Sequence, residues 1–335
     1  MKRRTFLAAS MGVLAGGEAV AGMPAAAGAR LHTAAAQAFG TTITVTVAHA
    51  DGTAAQAAMS AALREARAVD RLMSIYDPAS QVYQLNRDGA LAAPDAHLLL
   101  VLAQARALSL LTDGAFDVTV QPLWLAYAEA AQRGGLPDAL ALRQARALVG
   151  WRQLAFQRGE ARFLRPGMAL TLNGLAQGYA ADLALAALRR HGIRNALLDT
   201  GEFAASGARP PGLPWALGIR DPRDAGACTD IVLARDRCLA TSGDYESVFS
   251  QDRVHHHILD PERGDSPPEL AGVTVLAPSA LLADGLSTAF MVMGAKKAHA
   301  LAGRLPGIDL LTVDKQGRAR RSAGFAGFAV AAGSA

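Results

Sequence analysis

In Ala283-Asp284-Gly285-Leu286-Ser287-Thr288, a carboxylate and a hydroxyl stand four residues apart, so Asp284 and Thr288 share one face if the segment is helical. One carboxylate, one hydroxyl and the room left by Gly285 suit a hard cation such as Mg²⁺, which keeps waters and shares phosphate oxygens. The same spacing fits a plain polar helix face, with Asp284 in the first turn and favourable to the helix dipole. Three consecutive histidines lie in Val254-His255-His256-His257-Ile258-Leu259-Asp260-Pro261. If this segment is a strand, His255 and His257 share a face and His256 takes the other. A transition metal would need further ligands that the neighbourhood does not supply. A histidine facing a cleft as general base is chemically sound, with an ordinary pKa near about 6.5, and so is a structural histidine with its hydrogen bonds satisfied. Gly114-Ala115-Phe116-Asp117-Val118-Thr119-Val120 follows a helix end. Gly114 terminates the helix there, and the amides of the turn beside Phe116 could also hold an aromatic ligand. There is no G-x-x-x-x-G-K-[ST], no G-x-G-x-x-G at a strand-to-helix turn and no G-x-S-x-G; Ala240-Thr241-Ser242-Gly243-Asp244 only brings a serine to a turn.

The elements that must position these residues are read from periodicity. A small-residue linker to about Gln37 precedes a half-buried strand, Thr42 to Val47. Met59, Leu63, Ala66, Val69 and Met73 recur at helical spacing and predict a long amphipathic helix. A second helix runs from the N-cap candidate Asp95 to Leu111, and two more cover Trp124 to Gln132 and Asp138 to Val149. Short strands are expected at 154–156, 162–164 and 168–172, then a helix from Leu175 to His191. Further strands are expected at 195–199, 215–219, 230–234, 254–259 and 273–276, with a last helix from Ser279 to Met293. Strands and helices mix without strict alternation, which predicts an α+β fold with largely antiparallel sheet.

With 335 residues, 51% of them hydrophobic and 19% charged, the chain can bury a large core. Lys2, Arg3, Arg4 and Glu18 account for half of the formal charge of +4. No later stretch clusters Lys and Arg with aromatics, so neither a nucleic-acid stripe nor a polybasic membrane patch is indicated. Arg3-Arg4-Thr5-Phe6-Leu7 followed by a weakly apolar stretch reads as a twin-arginine export signal, with Ala19-Val20-Ala21 or Ala25-Ala26-Ala27 as the cleavage site. Periplasmic location follows as an expectation. Cys228 and Cys238 are the only cysteines, so no lipid-anchor cysteine stands near the cleavage site and no C-x-x-C motif is present; whether the pair is bonded stays open.

Taken in order, several segments resemble the ApbE family, the FAD:protein FMN transferases. They are Ala38-Phe39-Gly40-Thr41, Met73-Ser74-Ile75-Tyr76-Asp77 running to Leu85-Asn86, and Gly114 to Val120. Leu172-Asn173-Gly174-Leu175-Ala176-Gln177-Gly178-Tyr179-Ala180-Ala181-Asp182 follows, then Ala240 to Tyr245, His257-Ile258-Leu259-Asp260-Pro261 and Ala283 to Thr288. The likeness covers nearly all of the chain after residues 1–30, the signal and linker, and implies one two-lobed α+β domain over residues 31–335.

The resemblance implies FAD as substrate, Mg²⁺ on its pyrophosphate, and transfer of FMN to a Thr or Ser hydroxyl of an acceptor flavoprotein with release of AMP. It matches Asp284, Thr288 and the Gly174 carbonyl to the metal ligands, and His257 to the proton acceptor. It places Phe39, Tyr76, Ala115, Phe116, Asp117, Thr171, Gln177 and Ile258 around FAD. Thr171 stands where an aspartate is common and Gln177 where a lysine is. Phe39 replaces a usual methionine, and Thr200-Gly201-Glu202-Phe203 replaces paired glycines. These departures resemble a sub-branch that includes proteins called NosX, whose acceptor is a membrane protein flavinylated in the periplasm. The losses at Thr171 and Gln177 keep two other readings open, an FAD pyrophosphatase giving FMN and AMP and a flavin-binding protein without turnover.

Overall fold

The computed structural model describes residues 28–330. The arginine pair and both cleavage-site candidates lie outside the described residues. Strand β1 (Arg30–Ala38) and β2 (Thr41–His49) form a hairpin in full register. Its two-residue turn is Phe39-Gly40, both at positive φ, 54° and 75°, as the twist of paired strands demands. The expected linker up to Gln37 is therefore corrected. Alanine carries little strand preference, and pairing with the β-branched residues of β2 overrides it.

Helix α1 (Gly52–Met73) opens on Asp51, whose side chain accepts from the Thr53 and Ala54 amides, and it buries Met59, Leu63, Ala66, Val69 and Met73 as the periodicity predicts. The short helix α2 (Gln81–Asp88) and strand β3 (Ala90–Ala92) follow, then α3 (Ala96–Leu111) with Asp95 as N-cap. Helices α4 (Gln121–Gln132) and α5 (Ala139–Arg146) lead to β4 (Leu154–Gln157) and β5 (Glu160–Phe163), and β5 pairs with both β3 and β4 in a small sheet. Helix α6 (Ala176–Arg190) precedes β6 (Ala196–Asp199), β7 (Phe203–Ser206), β8 (Trp215–Arg220), β9 (Cys228–Ala234), β10 (Cys238–Gly243) and β11 (Leu270–Ala277). Helix α7 (Ala280–Ala302), β12 (Asp309–Asp314), β13 (Ala319–Arg321) and β14 (Ala329–Val330) complete the described chain.

Eight strands form one sheet in the order β1-β2-β6-β7-β10-β11-β12-β13, with β14-β9-β8 as a separate three-stranded sheet. Every strand pair is antiparallel, so the expected α+β class holds. Helices α1, α6 and α7 cover one face of the large sheet, where Val45, Met59, Ala180, Val273 and Phe290 share a core. The other face packs Ala205, Leu239, Leu276 and Leu311 against Trp215, Leu217 and Val232 of the three-stranded sheet. Strand β11 is buried along its whole length because both faces are covered.

Four expectations fail. Residues 168–172 are not a strand. Met168, Leu170 and Leu172 are buried at period two, but the backbone is held by the Asn86 carboxamide, which bonds both N and O of Leu170, and by the Val118 carbonyl, which accepts from Thr171 N. Residues 254–259 form a loop with one isolated bridge, Val248 to His256. The turn expected at Ala240 to Gly243 is strand β10, and β7 and β12 had no forecast. Helix α7 runs past Met293, with a break at Gly294 (φ 75°). Both cysteines are free thiols on strands of different sheets, and burial pushes the Cys238 thiol up to about 12.

Candidate metal and flavin site

Helix α7 carries the site because its start is tied to α6. Both oxygens of Asp182 accept from the first amides of α7, Ala280 N at 2.8 Å and Leu281 N at 3.0 Å, and Ser279 accepts from Leu282 N. These three amides have no partner within the helix, so the caps fix its position and rotation. Asp182→Ala is expected to cost about 1–2 kcal/mol in urea unfolding and to weaken any ligand held by Asp284. An unchanged midpoint would mean that Ser279 suffices.

Asp284 lies beyond the first turn of α7 and is 4% exposed, so the plain reading of a solvated polar face at the helix dipole is corrected. Its Oδ2 accepts from Gly178 N at 3.1 Å; no described residue bonds Oδ1. Burial pushes the Asp284 carboxyl up to about 7, against the Gly178 hydrogen bond and helped by the charge of Asp182. Because Gly178 N is directed at Asp284, the Gly174 carbonyl is left without a hydrogen bond from any described residue. Gly174 itself approaches Thr288 so closely that a Cβ there would stand 3.0 Å from Thr288 Oγ1 and 3.5 Å from Phe116. Ser242 of β10 reaches the same spot, 2.8 Å from Ser287 Oγ and 3.3 Å from Thr288 Oγ1. A carboxylate oxygen and a carbonyl without partners, beside a hydroxyl that only Ser242 reaches, are the hard donors that a Mg²⁺-like cation takes, so the residues present fit the ion.

Around this centre, the Phe116 ring is buried and Phe116 N donates to Thr112 Oγ1. Asp117 Oδ1 accepts from Thr119 N and Oγ1 in its own turn, Oδ2 accepts from Trp151 N, which precedes β4, and burial raises its carboxyl. Ala115 closes the turn with its N–H on the Thr112 carbonyl. Gln177 Nε2 donates to Thr200 O at 2.7 Å and Thr200 Oγ1 returns a bond to Gln177 O. The side chain in the lysine position thus fastens α6 to the turn after β6. Glu202, in that turn, is also buried. Its carboxyl is raised well above the usual range by burial and by Asp284, while Thr241 N, which it accepts, pulls the other way.

Other expected residues lie apart from this hydrogen-bonded cluster. Phe39 sits in the hairpin turn, half-buried against the main core. Tyr76, after α1, is 69% exposed. Ile258 is buried in the main core. His257 is half-buried; its N–H donates to the Ser247 carbonyl and its Nδ1 lies 3.3 Å from the same oxygen. Burial lowers its pKa, so the imidazole is neutral at neutral pH. His256 is fully buried with neither ring nitrogen bonded, and burial, then Lys315, pushes it down to about 3. His255 Nδ1 donates to Asp265, which also receives the Tyr127 hydroxyl. Sequence reasoning missed Ser242, Gly178 N and Glu202 as site groups. Glu202 carried a signal, a carboxylate where the resemblance leads one to expect paired glycines.

Residues 39–312 match the ApbE family. A "FAD:protein FMN transferase" of Vibrio cholerae is 32% identical over 73% of this chain and 77% of its own length. One of Treponema pallidum is 31% identical over 77% of this chain and 80% of its own. The solved "Flavin Transferase ApbE from Vibrio cholerae" superposes with a TM-score of 0.77 at 28% identity, covering 90% of this chain and 99% of that one.

Proposed function

This chain belongs to the ApbE family, and on that premise we propose that it is a FAD:protein FMN transferase that needs a divalent cation, acts on a Thr or Ser hydroxyl and releases AMP. The observation that carries the reading is that the start of α6 meets α7 at the candidate ligands: Gly178 N donates to Asp284 Oδ2, Gly174 lies against Thr288 Oγ1, and Asp284 Oδ1 and the Gly174 carbonyl have no hydrogen bond from any described residue. A Mg²⁺ ion held there would neutralise pyrophosphate charge and so favour the transition state. His257, whose environment favours the uncharged imidazole, takes the proton of the acceptor hydroxyl. The hydroxyl oxygen forms a bond to the FMN phosphorus, the pyrophosphate P–O bond breaks, and AMP leaves with the bridging oxygen. Phe39, Tyr76, Ala115, Phe116, Asp117, Thr171, Gln177 and Ile258 supply the FAD surroundings in this reading, and positioning supplies much of the acceleration. The Arg3-Arg4 pair, read as an export signal, supports placing the reaction in the periplasm, with the periplasmic part of a membrane flavoprotein as acceptor.

The test is to incubate the protein with FAD, Mg²⁺ and periplasmic fragments of candidate membrane flavoproteins, then weigh the fragments. Covalent FMN on a Thr or Ser with AMP in solution is the expected result. Free FMN with AMP, and no adduct on any fragment, would make the chain a pyrophosphatase. No AMP under Mg²⁺ would make it a binding protein.

A further inference from the structure

Alternate residues of a strand face opposite sides of its sheet. At the start of β7, Phe203 packs toward the three-stranded sheet and Ala204 joins the helix-side core, so Glu202 belongs to the helix side with Ala204. In the neighbouring β10, Leu239 and Ala240 divide in the same way, and Ser242 reaches Ser287 and Thr288 on the helix side. The β7–β10 ladder pairs Cys238 with Ala204 and Leu239 with Phe203 and goes no further. Just beyond it, Glu202 Oε2 takes Thr241 N at 3.2 Å.

Glu202 is 8% exposed, and no described residue bonds its Oε1. The strongest charge acting on it is Asp284, followed by Asp199 and Glu246, all acidic. Gln177, where a base would have answered them, is bonded to Thr200 O. Two buried carboxyls that raise one another's cost of ionisation, each with an oxygen that no described residue bonds, are costly in their charged forms unless a cation joins them.

We propose that Glu202 is a second carboxylate of the divalent-cation site, facing the ion from the sheet while Asp284 and Thr288 face it from α7. The assignment rests on the cation reading given above. The alternative role is a cap on Thr241 N, which a neutral carboxamide oxygen performs equally well.

The probe is Mn²⁺ binding to the full chain without FAD, followed by the electron paramagnetic resonance of the free ion. Glu202→Gln, which keeps the cap and removes the charge, is expected to weaken Mn²⁺ binding at least ~10-fold, as loss of a supporting ligand does. Asp284→Asn should weaken it at least as much. Unchanged affinity in Glu202→Gln beside a loss in Asp284→Asn overturns this assignment alone; unchanged affinity in both overturns the cation reading with it. Glu202→Asp keeps the charge and is expected to bind Mn²⁺ more tightly than Glu202→Gln. Equal affinities of those two variants would show Glu202 to be a cap only.

Discussion

Replacing Asp284 with asparagine is expected to lower cation-dependent FMN transfer by about a thousandfold while leaving the fold intact. The carboxamide oxygen can still accept from Gly178 N, which now meets Asp284 Oδ2, so packing is kept and only the charge is lost. A cation that neutralises pyrophosphate contributes several kcal/mol to the transition state, and each ~1.4 kcal/mol is tenfold in rate. The variant also has a stability signature. The folded-state pKa of Asp284 is raised from 3.8 to about 7. The metal-free protein therefore binds a proton there that the unfolded chain releases, and this contribution is present at low pH and lost as pH rises from about 4 through about 7. Thermal unfolding of the metal-free protein should show that loss, and Asp284→Asn should remove it and raise the midpoint at pH 8. Mg²⁺ should stabilise the parent, more strongly above pH 7 than below, and not the variant. Full transfer activity in Asp284→Asn would sink the metal assignment.

Gly178→Ala is expected to be the most damaging single methyl in the chain's centre. A Cβ at Gly178 would stand 2.4 Å from the Ala280 carbonyl oxygen and 2.8 Å from Asp284 Cβ. The obstacle is helix backbone, which cannot turn aside as a flexible side chain can, so α6 and α7 must separate where the site lies. Overpacking of this kind costs about 3 kcal/mol, and the separation removes the hydrogen bond from Gly178 N to Asp284. Urea unfolding and Mn²⁺ binding would both register it. The comparison variant is Gly135→Ala, whose Cβ would meet nothing within 4 Å and which should stay within about 0.5 kcal/mol of the parent. Equal midpoints for the two variants would refute the close approach of α6 and α7.

Helix α1 was legible because its apolar residues recur at helical spacing over several turns, and the start of α3 because its cap, Asp95, is short-range chemistry. Residues 168–172 and 254–259 were misread because period-two burial looks the same whether a partner strand is present or, as at Leu170, an asparagine side chain supplies the bonds. β1 escaped notice for the converse reason: its alanines have little preference of their own until β2 pairs with them.

The site divides along the same line. Asp284 and Thr288 share a helix face by spacing alone, and the ordered motifs from Phe39 to Thr288 carry the family, because both are properties of a linear string. Neither could say that Asp284 would be buried with one oxygen on Gly178, that the Gly174 carbonyl would be left open beside Thr288, or that Ser242 and Glu202 would arrive from the sheet. Those residues lie tens of positions apart. Only the packing of α6 and α7 on β7 and β10 brings them together, and only burial there turns an ordinary carboxylate into one that requires a counter-charge.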